Sequence, residues 1–165
     1  MDKLNKLALA MTEFYAGQPS YIQHFFKVHA FAKLIAQAEG LDEAALLITE
    51  AAAYVHDIGI KPAMEKYSSA AGPLQEQEGP PLAEHMLDKL GFDEKVIERV
   101  SYLVGHHHTY SNIDGMDYRI LVEADFLVNL FEGSASPAAI KSAYTDIFRT
   151  ECGKTMCRTM FDLKA

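Results

Sequence analysis

The chain has 165 residues with 15 Lys and Arg against 23 Asp and Glu, a net charge of −8 and 49% hydrophobic residues. That balance suits one soluble domain, 1–165, with a sizeable core, and it gives no basic footprint for a nucleic-acid polymer or an acidic membrane face. No apolar run is long enough to span a bilayer, the opening MDKLNKLALAMTEFY lacks a signal-peptide layout, and the cytoplasm is the expected compartment.

Helical periodicity recurs along the chain and strand signals are scarce. Leu4, Leu7, Ala8 and Met11 repeat at helical spacing, and Gly17 and Pro19 close that first helix. Ser20 is placed to cap a second helix running to Gly40, and Asp42 to cap a third that runs into His56 and stops at Gly59 and Pro62. Residues 61–81 read as a loop, with Ser68-Ser69, Gly72-Pro73 and Gly79-Pro80-Pro81. Further helices are predicted over 82–90, 93–107, 117–131 and 137–149, with a turn in HTYSNIDG and a short last helix after Gly153. The fold class is all-α, a compact multi-helix bundle. Cys152 and Cys157 match neither a zinc knuckle nor a redox pair and read as unremarkable thiols. The aromatic-rich helix 20–36 and the tail MCRTMF offer surfaces for a second copy, although intramolecular packing explains both, so the oligomeric state stays open.

Ionisable residues fall on apolar helix faces. His24 aligns with Val28, Phe31 and Ile35, on a helix that is apolar on most sides and hence buried. His56 and Asp57, in AAAYVHDIGI, end a second helix of the same type, where an aspartate faces the wrong pole of the helix dipole and calls for a positive partner. Asp125 borders the face set by Leu121, Ala124 and Val128. Extending the helix of Val96, Val100 and Leu103 by 100° per residue puts His107 on its apolar face, with His106 and His108 to either side. His85 points away from the core face of Ala83, Met86, Leu87 and Leu90 and reads as a surface residue, and His29 reads as packing. Taken singly, each has an ordinary explanation: a core histidine on a carbonyl, a helix cap, a flank aspartate reaching water. Together, polar groups from three or four helices are costly to bury independently, and one shared cation accounts for them all. Nitrogen and carboxylate ligands without cysteine point to Mn, Fe, Co, Ni or Zn.

The ordered set His24, His56-Asp57 and Asp125, with Lys27-Val28 after the first histidine and the phrase HDIG, resembles the HD-domain superfamily of metal-dependent phosphohydrolases over about residues 20–131. The resemblance implies a helical bundle of the HD-domain type holding one or two divalent metals. His24, His56, Asp57 and Asp125 would ligate the first metal. A second would fall to His106 and His107 with Glu78, which stands where such proteins usually carry a histidine, or with His85 in reserve.

Hydrolysis of a small phosphate ester, a nucleotide or similar metabolite, is the activity so implied. Asp57 would ligate and orient the attacking water. Lys27 and Lys61 would meet other phosphate oxygens, or stand as solvated surface charges. His107, or its neighbours His106 and His108, would protonate the leaving oxygen, and the 61–81 segment with Tyr67, Ser68 and Ser69 would cover the pocket. Two other readings keep the same site: a di-iron centre for oxidative cleavage, and a ligand-sensing module without chemistry.

Overall fold

The structure, a computed structural model, describes residues 1–164. Among them it forms nine helices and no strand: α1 (Lys3–Phe14), α2 (Pro19–Ala38), α3 (Glu43–Val55), α4 (Ile60–Tyr67), α5 (Gly72–Lys89), α6 (Glu94–Val104), α7 (Met116–Glu132), α8 (Pro137–Asp146) and α9 (Glu151–Met160). No described helix is long and apolar enough to cross a membrane.

The third helix is the hub, packed against α1, α2, α6 and α7. Its last turns show why. Residues 51–55 are all buried, and the three small side chains of Ala51, Ala52 and Ala53 let neighbouring helices close in from several directions. Asp42 caps this helix as its sequence suggests, accepting from the Ala45 N–H at 2.8 Å. The second helix starts one residue before Ser20: Pro19 occupies its first turn, where the missing N–H costs nothing, and no side chain caps it.

The expected 61–81 loop is corrected to two helices, α4 and α5, joined by residues 68–71. Gly79, Pro80 and Pro81 lie inside α5, although proline in a helix interior typically costs about 3 kcal/mol. Packing explains why the helix survives. Gly79 is buried where α5 meets Gly59 and Val104, and Pro80 Cγ would lie 3.2 Å from a Cβ placed on Gly105. The chain also turns earlier than expected after α6. Gly105 caps that helix, so the three histidines lie beyond its end rather than on its face. Near the C-terminus the 137–149 helix ends at Asp146, and α9 begins before Gly153. The buried Glu123 joins these pieces, accepting from Arg149 N at 2.7 Å, Thr150 N at 3.0 Å and Thr150 Oγ1 at 2.5 Å.

Candidate metal centre

The His24, His56, Asp57 and Asp125 side chains meet where α2, the end of α3 and α7 converge. His24 Nε2 lies 3.2 Å from His56 Nε2 and 3.1 Å from Asp125 Oδ1. Asp57 Oδ2 is 3.3 Å from each of these two ring nitrogens, and His56 Nε2 is 3.5 Å from Asp125 Oδ1. His24, His56 and Asp125 are all buried.

The far nitrogen of each ring is anchored. His56 Nδ1–H donates to Ala53 O at 2.9 Å, and His24 Nδ1–H donates to Glu132 Oε2 at 2.8 Å. With Nδ1 already donating in each ring, it is Nε2 that faces the two carboxylates, as a donor while the ring is protonated and as a lone pair once it is neutral. Two carboxylates buried beside these nitrogens need a positive partner, which the ring protons supply in the metal-free protein and a bound cation would supply in their place. The donor set, two imidazoles and two carboxylates, suits a divalent transition metal. Asn129 Nδ2–H braces the Asp125 carboxylate, donating to Oδ1 at 2.8 Å, and Tyr15 Oη–H holds the backbone at Asp57, donating to its main-chain carbonyl at 2.6 Å.

Asp57, His107 and His108 form a second group with converging ligand atoms. His107 Nδ1–H donates to Val104 O at 2.8 Å, leaving Nε2 without a hydrogen-bond partner although it approaches Asp57 Oδ1 to 3.4 Å. His108 Nε2 is likewise unpartnered. Glu76 holds the turn that carries it, accepting from His108 N at 3.0 Å and Thr109 Oγ1 at 2.9 Å. Burial and the neighbouring His107 push the His108 ring down to about 4, so at neutral pH it is an acceptor rather than an acid. Gln75 adds another buried acceptor without a partner, its Oε1, and lines a cavity with Asp57 and His108.

This grouping departs from the expected second set. Glu78 is bonded to Lys66 and to Tyr67 Oη, 3.0 Å away, and does not join either group. His106 turns outward, stacked on Tyr102 with ring centroids 4.1 Å apart, because the chain leaves the helix at Gly105. His85 is an exposed residue between Glu84 and Asp88, as its helical register suggests, and takes no part in either group. Neither lysine faces the cluster freely. Lys27 is paired with Glu132 at 2.6 Å, while Lys61 donates to Phe14 O at 3.2 Å over the Phe14 ring. His29 packs on Tyr54 with centroids 3.9 Å apart and bonds Glu50 at 2.9 Å.

Charge couples the cluster tightly. Burial pulls the His24 and His56 rings down, but Asp57 and Asp125 outweigh it and hold both above the usual imidazole range. Burial alone would raise Asp57 and Asp125, yet the neighbouring rings hold both well below the usual carboxylate range. The depressed carboxylates contribute stability that is present above an unfolded-state pKa of about 3.9 and is lost as pH falls through their folded values. The raised rings contribute stability that is present below about 6.5 and is lost as pH rises through their folded values. Metal-free protein is thus expected to melt highest between about pH 4 and pH 6.5. A divalent ion displaces the ring protons, so its stabilisation should grow toward and above neutrality. At 100 times its Kd it should add about 2.7 kcal/mol, roughly 5–10 °C in Tm for a domain of this size. Melting curves across pH in EDTA and in Mn2+ check both statements.

A family model described as HD domain matches residues 21–145. Among solved structures, the chain is similar to one described as a predicted HD superfamily hydrolase from an uncultured Thermotogales bacterium, with a TM-score of 0.69 and 24% identity over 96% of this chain and 84% of that one. No curated protein gives a significant match.

Proposed function

The chain belongs to the HD-domain family, and on that premise we propose that it is a metal-dependent phosphohydrolase acting on a nucleotide or a similarly small phosphate ester. The observation that carries this reading is the convergence of His24 Nε2 and His56 Nε2 on Asp57 Oδ2 and Asp125 Oδ1, each ring nitrogen lying within 3.5 Å of both carboxylates. A bound divalent ion supplies an acidified water at neutral pH and offsets charge developing on a phosphoryl oxygen.

The chain's own residues do the rest. The anchored rings of His24 and His56 and the braced Asp125 hold the ligand atoms still, which spares reorganisation during the reaction. Asp57 spans the two groups, Oδ2 toward His24 and His56 and Oδ1 toward His107, and is the residue placed to orient a water. A cavity of about 240 Å3, lined by Ser20, Tyr21, Asp57, Gln75 and His108, opens beside it and favours a compact substrate. Ser20 and Glu132 also line an open groove that includes Lys27, where the remainder of an ester would extend. In a two-ion form of the same reading, Asp57, His107 and His108 would hold the second ion.

Phosphate release from a panel of nucleotides and small phosphate esters, assayed with Mn2+ or Co2+, tests the proposal. Release that EDTA abolishes is the expected result. Protein that holds stoichiometric metal yet releases phosphate from no member of the panel would overturn it in favour of a sensing role.

A further inference from the structure

We infer that Glu132, with Lys27, is a positioning residue that sets the tautomer of His24 and thereby the affinity of the centre for its cation. The inference rests on the metal-binding reading above. Three histidines turn Nε2 toward the two groups, and each must park its Nδ1 proton elsewhere. His56 and His107 stand at or just beyond helix ends and use carbonyls three residues back, Ala53 O at 2.9 Å and Val104 O at 2.8 Å. His24 lies inside α2, where the preceding carbonyls already accept from the helix's own N–H groups. Its Nδ1 proton needs a partner from another element, and Glu132 Oε2 on α7 provides one at 2.8 Å.

The position of Glu132 is otherwise unfavourable. It is the last residue of α7, where a carboxylate faces the negative pole of the helix. Two contacts offset that repulsion, His24 on one oxygen and Lys27 Nζ on the other at 2.6 Å. Lys27 stands one turn after His24 on α2, so a single helix face presents both groups to one carboxylate. The carboxylate is fixed at both oxygens and in turn fixes the ring. An imidazole so anchored presents a more basic Nε2 in a fixed direction. Lys27 acts through Glu132, which ties it to the centre without contact with the ligand atoms.

Ring-nitrogen NMR of metal-free protein and Co2+ titration by calorimetry read the two halves of the inference. At a pH where its ring is neutral, wild-type His24 should carry its proton on Nδ1. Glu132→Ala should remove that preference and weaken Co2+ binding by about 10- to 100-fold. Glu132→Gln, whose amide oxygen still accepts from Nδ1–H, should keep the tautomer and lose less affinity; it also serves as the variant least able to disturb folding. Lys27→Met should fall between wild type and Glu132→Ala in affinity. An unchanged His24 tautomer together with wild-type Co2+ affinity in Glu132→Ala would overturn the inference and reduce Glu132 to a surface ion pair. The tautomer is read without metal or turnover, so a wild-type chain that binds no Co2+ would refute the metal centre while the NMR result judges the role of Glu132 separately.

Discussion

Asp57→Ala is expected to lower Mn2+ affinity by more than the roughly 100-fold typical of a supporting-residue loss and to abolish phosphate release. Among the described residues, Asp57 alone belongs to both groups: its Oδ2 lies 3.3 Å from His24 and His56, and its Oδ1 lies 3.4 Å from His107. The substitution removes a ligand and one of the two charges that balance the cation, and in the two-ion form it removes a ligand of the second ion as well. Asp57→Asn separates these effects, since it keeps the shape and loses the charge. The fold should persist in both variants, because the Tyr15 Oη–H bond goes to the Asp57 backbone carbonyl and is indifferent to the side chain. Calorimetric titration with Mn2+, paired with a melting curve in EDTA, gives the readout. Wild-type affinity in a folded Asp57→Ala protein would remove this residue from the centre.

Gly59→Ala is expected to be the most damaging methyl addition near the site, costing about 3 kcal/mol, the upper end of typical overpacking penalties. A Cβ on Gly59 would fall on the backbone of α5, pressed against Gln75 O, 2.9 Å from Gly79 N and 3.0 Å from Gln75 Cα. Backbone atoms cannot rotate aside as a flexible side chain would, so α5 must move as a body. That movement reaches the centre, because Gln75 lines the cavity and Glu76 holds the His108 turn. Loss of stability in urea and weakened metal binding should therefore appear together. The glycine of HDIG thus has a packing reason: it lets the turn after Asp57 lie directly against Gly79.

The cluster of His24, His56, Asp57 and Asp125 is legible because its members lie on, or just past the end of, long helices with clear apolar periodicity: His24 in α2, Asp125 in α7, and His56 and Asp57 directly after α3. Helix periodicity specifies which side chains face inward, and inward-facing ionisable groups are rare enough to stand out. The second group keeps His107 of the expected set and brings in His108 and Asp57 where the sequence suggests His106 and Glu78. Extending α6 through residue 107 assumes 100° per residue, but the helix ends at Val104 and the turn after Gly105 sends His106 out to Tyr102 and His108 inward. Gln75 and Glu76 were hidden inside a stretch whose glycines and prolines signal a loop, where tertiary packing overrode local preference. Glu132 gave no local signal at all, since its role depends on a contact with His24, 108 residues earlier in the chain.

Crystals grown with Co2+ or Mn2+ should show, in anomalous diffraction, a strong peak within bonding distance of His24 Nε2, His56 Nε2 and the Asp57 and Asp125 carboxylates. Saturating metal with no peak among these four side chains, or a peak only at an acidic surface cluster such as Glu84 and Asp88, would contradict the shared metal centre.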